Sequence, residues 1–380
     1  MSKLTAVRAK SVSIPVAKPT RMSTRILDRR DFLLVEVEEE SGGAVGFGYS
    51  YAGTSGGRLL AQIVAELLAP AALGSEAEDI LGLYDRLYQE TLLTGRRGAV
   101  LRAIAALDIA LWDLAGKRAG LPLAVLLGGK TGPVAAYASG GYYRDEGQSP
   151  EDLVRAEIAH NEELGFADHK IKVGGLPVEA DARRVAAALE PIREGGRLAL
   201  DVNNAYPNAH EALRSIRILE RAAGERGLWW VEEPLSPDDI AGHAELARTI
   251  ETPIATGEIA QTRFEFRSLI ESHAADILQP DAAVLGGVSE WVRIARTAET
   301  FSLPVAPHWH ANLHVHLAAA SPNCLCVEYF ELEKDIYNFE QLVTPETRLE
   351  TVAGTVICPD RPGLGIDFDA VAVEKYAVAF

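Results

Sequence analysis

Seven short motifs, each ending in an ionisable residue, recur down the second half of the chain: Lys170-Ile171-Lys172, Asp201, Glu232, Glu258, Asp281, His308 and Glu328. From Lys172 the gaps are 29, 31, 26, 23, 27 and 20 residues, about the length that one strand, loop and helix consume. Each closes a strand-like run rich in Val, Ile, Leu or Trp, such as LALDVN, LWWVEEP and DILQPD. A (β/α) barrel produces this pattern, because its functional groups sit at the C-terminal ends of successive strands and converge on one mouth.

The N-terminal part has a different rhythm. Ala6 to Pro15 and Phe32 to Glu38 alternate as strands do, and Gly42-Gly43 turns the chain into Ala44 to Tyr49, which predicts a three-stranded antiparallel meander. Helical periodicity follows over 58–68, 77–92 and 99–119, and Gly120-Leu121-Pro122 stops the last of these. The expected organisation is an α+β cap over 1–125, a barrel over 126–350, and a turn-rich return over 351–380 packing back on the cap.

Bulk properties limit the partners. With 380 residues and 48% hydrophobic content the chain supports a large core, and a net charge of −17 without long like-charged runs argues against nucleic acid or an anionic membrane surface. No apolar stretch follows Met1-Ser2-Lys3 and no uncharged run approaches spanning length. Cys324, Cys326 and Cys358 are odd in number and read as buried thiols in a reducing compartment. A cytoplasmic homo-oligomer is the expected form.

Asp201, Glu232 and Glu258 end three consecutive predicted strands, so their carboxylates meet on one side of the mouth. Three such groups repel unless a cation joins them, and three hard oxygen ligands with positions left for water and substrate suit Mg²⁺, with Mn²⁺ able to substitute. Lys170 and Lys172, two apart on a strand, point the same way; their mutual repulsion is expected to lower one pKa and yield a base usable near neutral pH. His169, on the opposite face, reads as a packing residue. Asp281 and His308 fall on neighbouring strands, where the aspartate would fix the imidazole tautomer. The run from His308 through His310, His314 and His316 leaves a histidine-rich zinc site as the competing reading.

With these motifs in order, the chain resembles the mandelate racemase subgroup of the enolase superfamily over essentially its whole length. The resemblance rests on the Lys170-x-Lys172 pair, DVNN, VEEP, TGE, QPD before LGGV, APH and VEYF, together with AIAALDIALWDLAGK at 103–117, which looks like the cap helix of these enzymes. It implies an α/β fold, a modified TIM barrel of (β/α)7β type under an α+β cap completed by the C-terminal segment. It also implies Mg²⁺ on Asp201, Glu232 and Glu258, Lys172 as a base on one face of a carboxylate substrate with Lys170 beside it, and the Asp281–His308 dyad on the other. Glu328, expected to be protonated, would hydrogen-bond the developing enediolate, and Asn203 would neighbour the substrate or metal.

The implied chemistry is α-proton abstraction from a hydroxycarboxylate, with dehydration of an acid sugar to a 2-keto-3-deoxy acid expected first and racemisation or epimerisation of a 2-hydroxy acid second. A cycloisomerase is less favoured, since those relatives typically carry a lysine where this chain has Asp281-Ala282-Ala283; a non-catalytic binding protein has no use for bases on both faces. Arg21 and Arg25 in the 20s segment, with Tyr49, are expected to meet the polar distal end of the substrate.

Overall fold

The computed structural model describes residues 2–145, 147–332 and 336–380. The cap opens with β1 (Leu4–Arg21), β2 (Ile26–Glu39) and β3 (Gly46–Tyr51), paired antiparallel as a meander. The first two strands are longer than their alternation predicts. After an irregularity between Pro15 and Thr20, pairing resumes at Thr20 with Leu27 and Arg21 with Ile26, which carries the hairpin tip out to the barrel. Helices α1 (Gly57–Ile63) and α2 (Ala69–Ala72), joined through a π turn at Val64–Leu68, then α3 (Ile80–Glu90) and α4 (Ala99–Ala119), cover one face of this sheet. Gly120, with φ 65°, ends α4 in the left-handed conformation that glycine adopts without strain. Strand β3 lies so close to α4 that a Cβ on Gly48 would stand 2.0 Å from the Ala106 carbonyl oxygen.

After α5 (Leu123–Leu126) the barrel begins with β4 (Gly132–Gly140) and α6 (Pro150–Glu163). It continues through β5 (His169–Lys172), α7 (Val178–Leu189), β6 (Leu198–Asp201), α8 (Ala209–Ala223), β7 (Val231–Glu232) and α9 (Ile240–Thr249). Next come β8 (Ile254–Thr256), α10 (Thr262–Glu271), β9 (Ile277–Leu278), the short α11 (Ala282–Leu285), α12 (Val288–Thr300), α13 (Ala311–Ala319) and β10 (Val327–Tyr329). Neighbouring strands from β4 to β9 are parallel, and β10 returns to pair with β4. Between β9 and β10 the ring is closed by single bridges from Val305 to Leu278 and Cys324, so the strand expected before His308 is reduced to a few hydrogen bonds.

Register places the functional residues at one level: Lys172 lies opposite Asp201, and Asp201 opposite Glu232. Side chains two residues earlier on a strand point the same way, one layer deeper. Ala199, Trp230, Ala306 and Cys326 occupy that layer beneath Asp201, Glu232, His308 and Glu328, together with Tyr137. Lys170 is the charged member of this otherwise apolar layer.

The C-terminal return divides. Strand β12 (Thr355–Cys358), after β11 (Thr351–Val352), pairs antiparallel with β4 of the barrel. The cap is met further on, where Leu364 N–H donates to Asp113 Oδ1 of α4 at 2.7 Å and α14 (Ala370–Tyr376) leads into β13 (Ala377–Val378) on β1. The expectation that all of 351–380 packs on the cap is corrected accordingly, since β4 exposes a pairing edge along its first half. Cys324, Cys326 and Cys358 are free thiols, and no helix among the described residues is long and apolar enough to cross a membrane.

Candidate active site

The sequence-predicted cluster assembles in the mouth. Asp201, Glu232 and Glu258 each offer a carboxylate oxygen, all within 4.8 Å of one another. Lys170 Nζ lies 2.5 Å from Glu232 Oε1 and 2.8 Å from Glu328 Oε1, and Lys172 Nζ is paired with Asp201 Oδ2. His308 Nδ1 is 3.0 Å from Asp281 Oδ2, while its Nε2 faces Glu258 Oε2 at 3.6 Å. The Asp281 carboxylate also accepts the Ala283 N–H at 2.9 Å, capping α11. Lysine and histidine thus flank the carboxylate trio from its two ends.

The chain turns sharply just past these strand ends. Asn203 and Asn204 (φ 48° and 61°), Glu233 (φ 44°), and Trp309 and His310 (φ 55° and 35°) all adopt left-handed backbone, a strain that clusters where geometry is over-determined. The strain has local compensation. Asn203 N–H donates to Asp201 Oδ1 at 2.8 Å, and Trp309 N–H to Glu328 Oε2 at 2.7 Å. Glu233 accepts from Thr256 Oγ1, Gly257 N and Asn204 Nδ2 at 2.5, 2.9 and 2.6 Å, which ties together the loops after β6, β7 and β8.

The electrostatics of the trio fit a cation. Burial raises Glu232; Lys170 opposes this, but Asp201, Glu328 and Glu258 add to it and the carboxyl is pushed up to about 8. Glu258 is also raised, by burial first, and its Oε2 is buried without a hydrogen-bond donor. Three crowded carboxylates, one of them short of a donor, fit Mg²⁺, whose hard, small ion takes a few carboxylates and leaves positions for water and substrate.

Two expectations about protonation are corrected. Burial favours a neutral Lys172, but Asp201, with Tyr142 and Glu328 adding to it, outweighs that and holds the lysine above its ordinary range; Lys170 pushes the other way but is weaker than Asp201. Glu328 is not a protonated donor: burial opposes its ionisation, yet Lys170 and then His308 overcome that and hold it well below the usual carboxylate range. His308 is pushed up to about 9, since Glu258 and the Asp281 hydrogen bond outweigh its burial.

Among the described residues the remaining histidines make no metal cluster. His314 Nε2 accepts the Ala282 N–H at 3.0 Å and its Nδ1 donates to the Trp309 carbonyl at 2.8 Å. His316 Nε2 donates to the Leu364 carbonyl at 3.0 Å, and His310 packs on Tyr49 and Tyr337. His169 reaches outward to Glu162 at 3.1 Å.

The three expected substrate contacts from the cap separate. Arg21 donates from Nη2 to the Gly175 carbonyl at 2.7 Å, lies over the Tyr143 ring and lines a cavity of about 650 Å³ with Tyr142 and Arg144. Arg25, at the hairpin tip, is exposed. Tyr49 is 0% exposed and packs on Phe339 with ring centroids 4.2 Å apart, in the seam between cap and barrel. The hairpin itself docks over the loops after β5 and β6, through Ser23 Oγ to the Val173 carbonyl at 2.5 Å and Thr24 Oγ1 to the Asn203 carbonyl at 3.4 Å.

Several site residues were missed from the sequence. Gln279 Nε2 and Trp230 Nε1 both donate to Glu232 Oε2, at 2.6 and 3.0 Å, fixing that carboxylate from below. Their signal was available as the positions two before Asp281 and Glu232. Tyr142, whose ring stands 5.2 Å from Lys172 Nζ, was legible as part of the loop after the first barrel strand, together with Tyr143 and Arg144.

Comparison with known proteins agrees with this geometry. Residues 153–372 match the enolase C-terminal domain-like family, and residues 4–128 the N-terminal domain of mandelate racemase and muconate lactonizing enzyme. The chain therefore belongs to the enolase superfamily, in its mandelate racemase/muconate lactonizing enzyme subgroup. It is 36% identical over 348 residues to an arabinonate dehydratase of Saccharolobus solfataricus, covering 89% of this chain and 88% of that one. It is 35% identical over 359 residues to an L-talarate/galactarate dehydratase of Salmonella typhimurium, covering 93% and 85%. Among solved structures, L-talarate dehydratase from Polaromonas sp. JS666, complexed with Mg and L-glucarate, superposes with a TM-score of 0.88 at 35% identity, covering 100% of this chain and 98% of that one.

Proposed function

We propose that the protein is a Mg²⁺-dependent dehydratase of an acid sugar, an aldonate or aldarate, yielding a 2-keto-3-deoxy acid. The observation that carries this reading is the placement of a lysine and a histidine–aspartate dyad at opposite ends of one three-carboxylate cation site. Named dehydratases of acid sugars among the relatives, one of them solved with Mg and L-glucarate, support it.

Asp201, Glu232 and Glu258 would hold the cation, which when bound would supply positive charge to the substrate carboxylate. A cation on Asp201 would weaken that carboxylate's hold on Lys172, and Lys170 beside it already favours the neutral amine. Lys172 Nζ takes the C2 proton. His308, charged on its Asp281 support, gives its Nε2 proton to the C3 hydroxyl; the C–O bond breaks, water departs and the enol rearranges to the 2-keto acid. Lys170 and the Trp309 N–H keep Glu328 ionised and fixed, so its role is to hold Lys170 in place. Asn203, whose N–H is held on Asp201, is a nearby polar group available to the hydroxylated chain. The enzyme acts in sugar-acid catabolism as a cytoplasmic homo-oligomer.

The second reading, racemisation or epimerisation of a 2-hydroxy acid, is favoured by the same two-sided arrangement, since reprotonation from the opposite face needs no further group. Incubation of the purified protein and Mg²⁺ with a panel of aldonic and aldaric acids separates the two. The proposal expects a 2-keto acid from at least one; inversion at C2 without any 2-keto product would overturn it.

A further inference from the structure

Of the histidines that hold no metal, one touches the support of both members of the Asp281–His308 dyad. His314, 0% exposed, lies one turn into α13. Side chains on a helix lean back toward its N-terminus, and the imidazole accordingly reaches the turn that follows His308, its Nδ1 lying 2.8 Å from the Trp309 carbonyl oxygen. On the other edge of the ring, Nε2 accepts the N–H of Ala282 at 3.0 Å, the first residue of α11 and the one directly after Asp281. A helix leaves its first N–H groups without internal partners. Here Asp281 Oδ1 takes the Ala283 N–H at 2.9 Å, and His314 takes that of Ala282.

These partners settle the ring's proton. A carbonyl only accepts and a backbone N–H only donates, so Nδ1 carries the hydrogen, Nε2 the lone pair, and the ring is neutral. Burial holds His314 below the ordinary imidazole range against the pull of Asp281 and the Trp309 carbonyl, and Asp281 Oδ1 stays further off at 3.7 Å. The contacts close into a ring: Asp281 Oδ2 to His308 Nδ1 at 3.0 Å, along the chain to the Trp309 carbonyl, through His314 to Ala282 and back to Asp281. Trp309 has left-handed backbone, with φ 55°. Glu328 holds its N–H at 2.7 Å and His314 holds its carbonyl. Trp291 stacks on His314 with centroids 5.5 Å apart, which fixes the plane of the imidazole. Helix α11 is also anchored from elsewhere, by Ser50 Oγ on the Ala283 carbonyl at 2.5 Å and Gln261 Nε2 on the Val284 carbonyl at 2.8 Å. What His314 adds is the link between the two turns.

We propose that His314 is a positioning residue for the acid half of the reaction, clamping the turn after His308 to the turn after Asp281 so that His308 Nε2 keeps its aim into the mouth. The assignment rests on the dehydratase reading for one point, that His308 protonates the departing C3 hydroxyl. Lys172 lies on the other flank, paired with Asp201, so the clamp serves one base and not the other. Phenylalanine has the shape to stay against Trp291 but offers neither donor nor acceptor, which leaves a buried carbonyl and a buried N–H unpaired and frees the two turns from each other. Asparagine keeps a donor near Nδ1 and drops only the Nε2 acceptor.

The test uses the full chain with Mg²⁺ in heavy water and the best-turned-over member of a panel that includes arabinonate, galactarate and L-glucarate. The readout is a partition, deuterium gained at C2 of recovered substrate against 2-keto acid formed. His314→Phe should raise that ratio at least tenfold by slowing dehydration, with the Mg²⁺ dissociation constant within twofold of wild type, and His314→Asn should raise it by less. A ratio within twofold of wild type overturns the proposal, whether exchange and dehydration fall together, as a merely structural role predicts, or neither changes. A rise as large with asparagine as with phenylalanine also overturns it. Should His314→Phe fail to fold, His314→Asn decides alone, with a rise of at least threefold expected. A second measurement needs no substrate: in proton NMR of the Mg²⁺ form, the downfield Nδ1 proton of His308, identified by its absence from His308→Asn, should exchange with water at least tenfold faster in the His314 variant. An unchanged rate overturns the clamp. Inversion at C2 with no 2-keto acid from the wild type would sink dehydration and leave the clamp to this proton; normal dehydration with an unmoved His308 proton would do the reverse.

Discussion

Replacing Glu232 by glutamine should stabilise and disable the protein at once. Glu232 is fully buried among Asp201, Glu258 and Glu328, with burial the largest influence, and its pKa rises from 4.5 to about 8. At about 1.4 kcal/mol per pH unit that rise corresponds to roughly 5 kcal/mol as an upper limit, because Lys170 shares the charge at 2.5 Å. The folded protein binds this proton more tightly than the unfolded chain, so the linked stability is fully present below about pH 4.5 and is lost as the pH rises through about 8. Glutamine carries no proton to lose, and Lys170 retains Glu328 at 2.8 Å. Urea unfolding in chelator at pH 6 and pH 9 should therefore show a wild type that weakens by a few kcal/mol and a Glu232→Gln variant that weakens by clearly less. Added Mg²⁺ reverses the ranking: at about a hundred times its Kd it should stabilise the wild type by about 2.7 kcal/mol and the variant hardly at all. Identical pH dependence in chelator, or equal stabilisation by Mg²⁺, would refute the reasoning.

Other outcomes follow from particular contacts. His308→Asn should abolish dehydration while leaving exchange of the α-proton with heavy water, and Lys172→Ala should lose both, as read by proton NMR; the opposite pattern would move the abstracting base to His308. Gln279→Leu removes the 2.6 Å donor to Glu232 and should weaken Mg²⁺ binding by roughly 10- to 100-fold with the far-ultraviolet circular dichroism unchanged. Gly48→Ala brings a methyl against the Ala106 carbonyl and should cost roughly 1–3 kcal/mol of stability, with wild-type unfolding midpoints counting against the close packing of β3 on α4.

The residues of the site were legible because a barrel writes its mouth into the sequence at regular intervals. Lys172, Asp201 and Glu232 lie level in the sheet, and spacing alone anticipates that. Protonation was not legible, since it depends on which charge stands nearest in space. Lys170 and Lys172 are neighbours in sequence, yet each lies closer to a carboxylate than their mutual repulsion supposes, which reverses the expected shift at Lys172 and keeps Glu328 ionised. The extension of β1 and β2 was hidden by the polar run 17–25, whose pairing is made by backbone groups and by the loops it covers. The strand before His308 reads strongly in LPVAPH but survives as single bridges at Val305, because the chain leaves at once for the left-handed turn at Trp309 and His310.

The central claim is that one carboxylate-bound cation and two flanking bases remove an α-proton and expel the β-hydroxyl. Its most direct test is proton NMR in heavy water of the acid that the protein turns over, with Mg²⁺ present, with chelator, and with the Lys172→Ala and His308→Asn double variant. The account predicts a 2-keto-3-deoxy acid carrying deuterium at C3 in the first case and unchanged substrate in the other two. Formation of the same product in exhaustive chelator, or by the double variant at the wild-type rate, would contradict it.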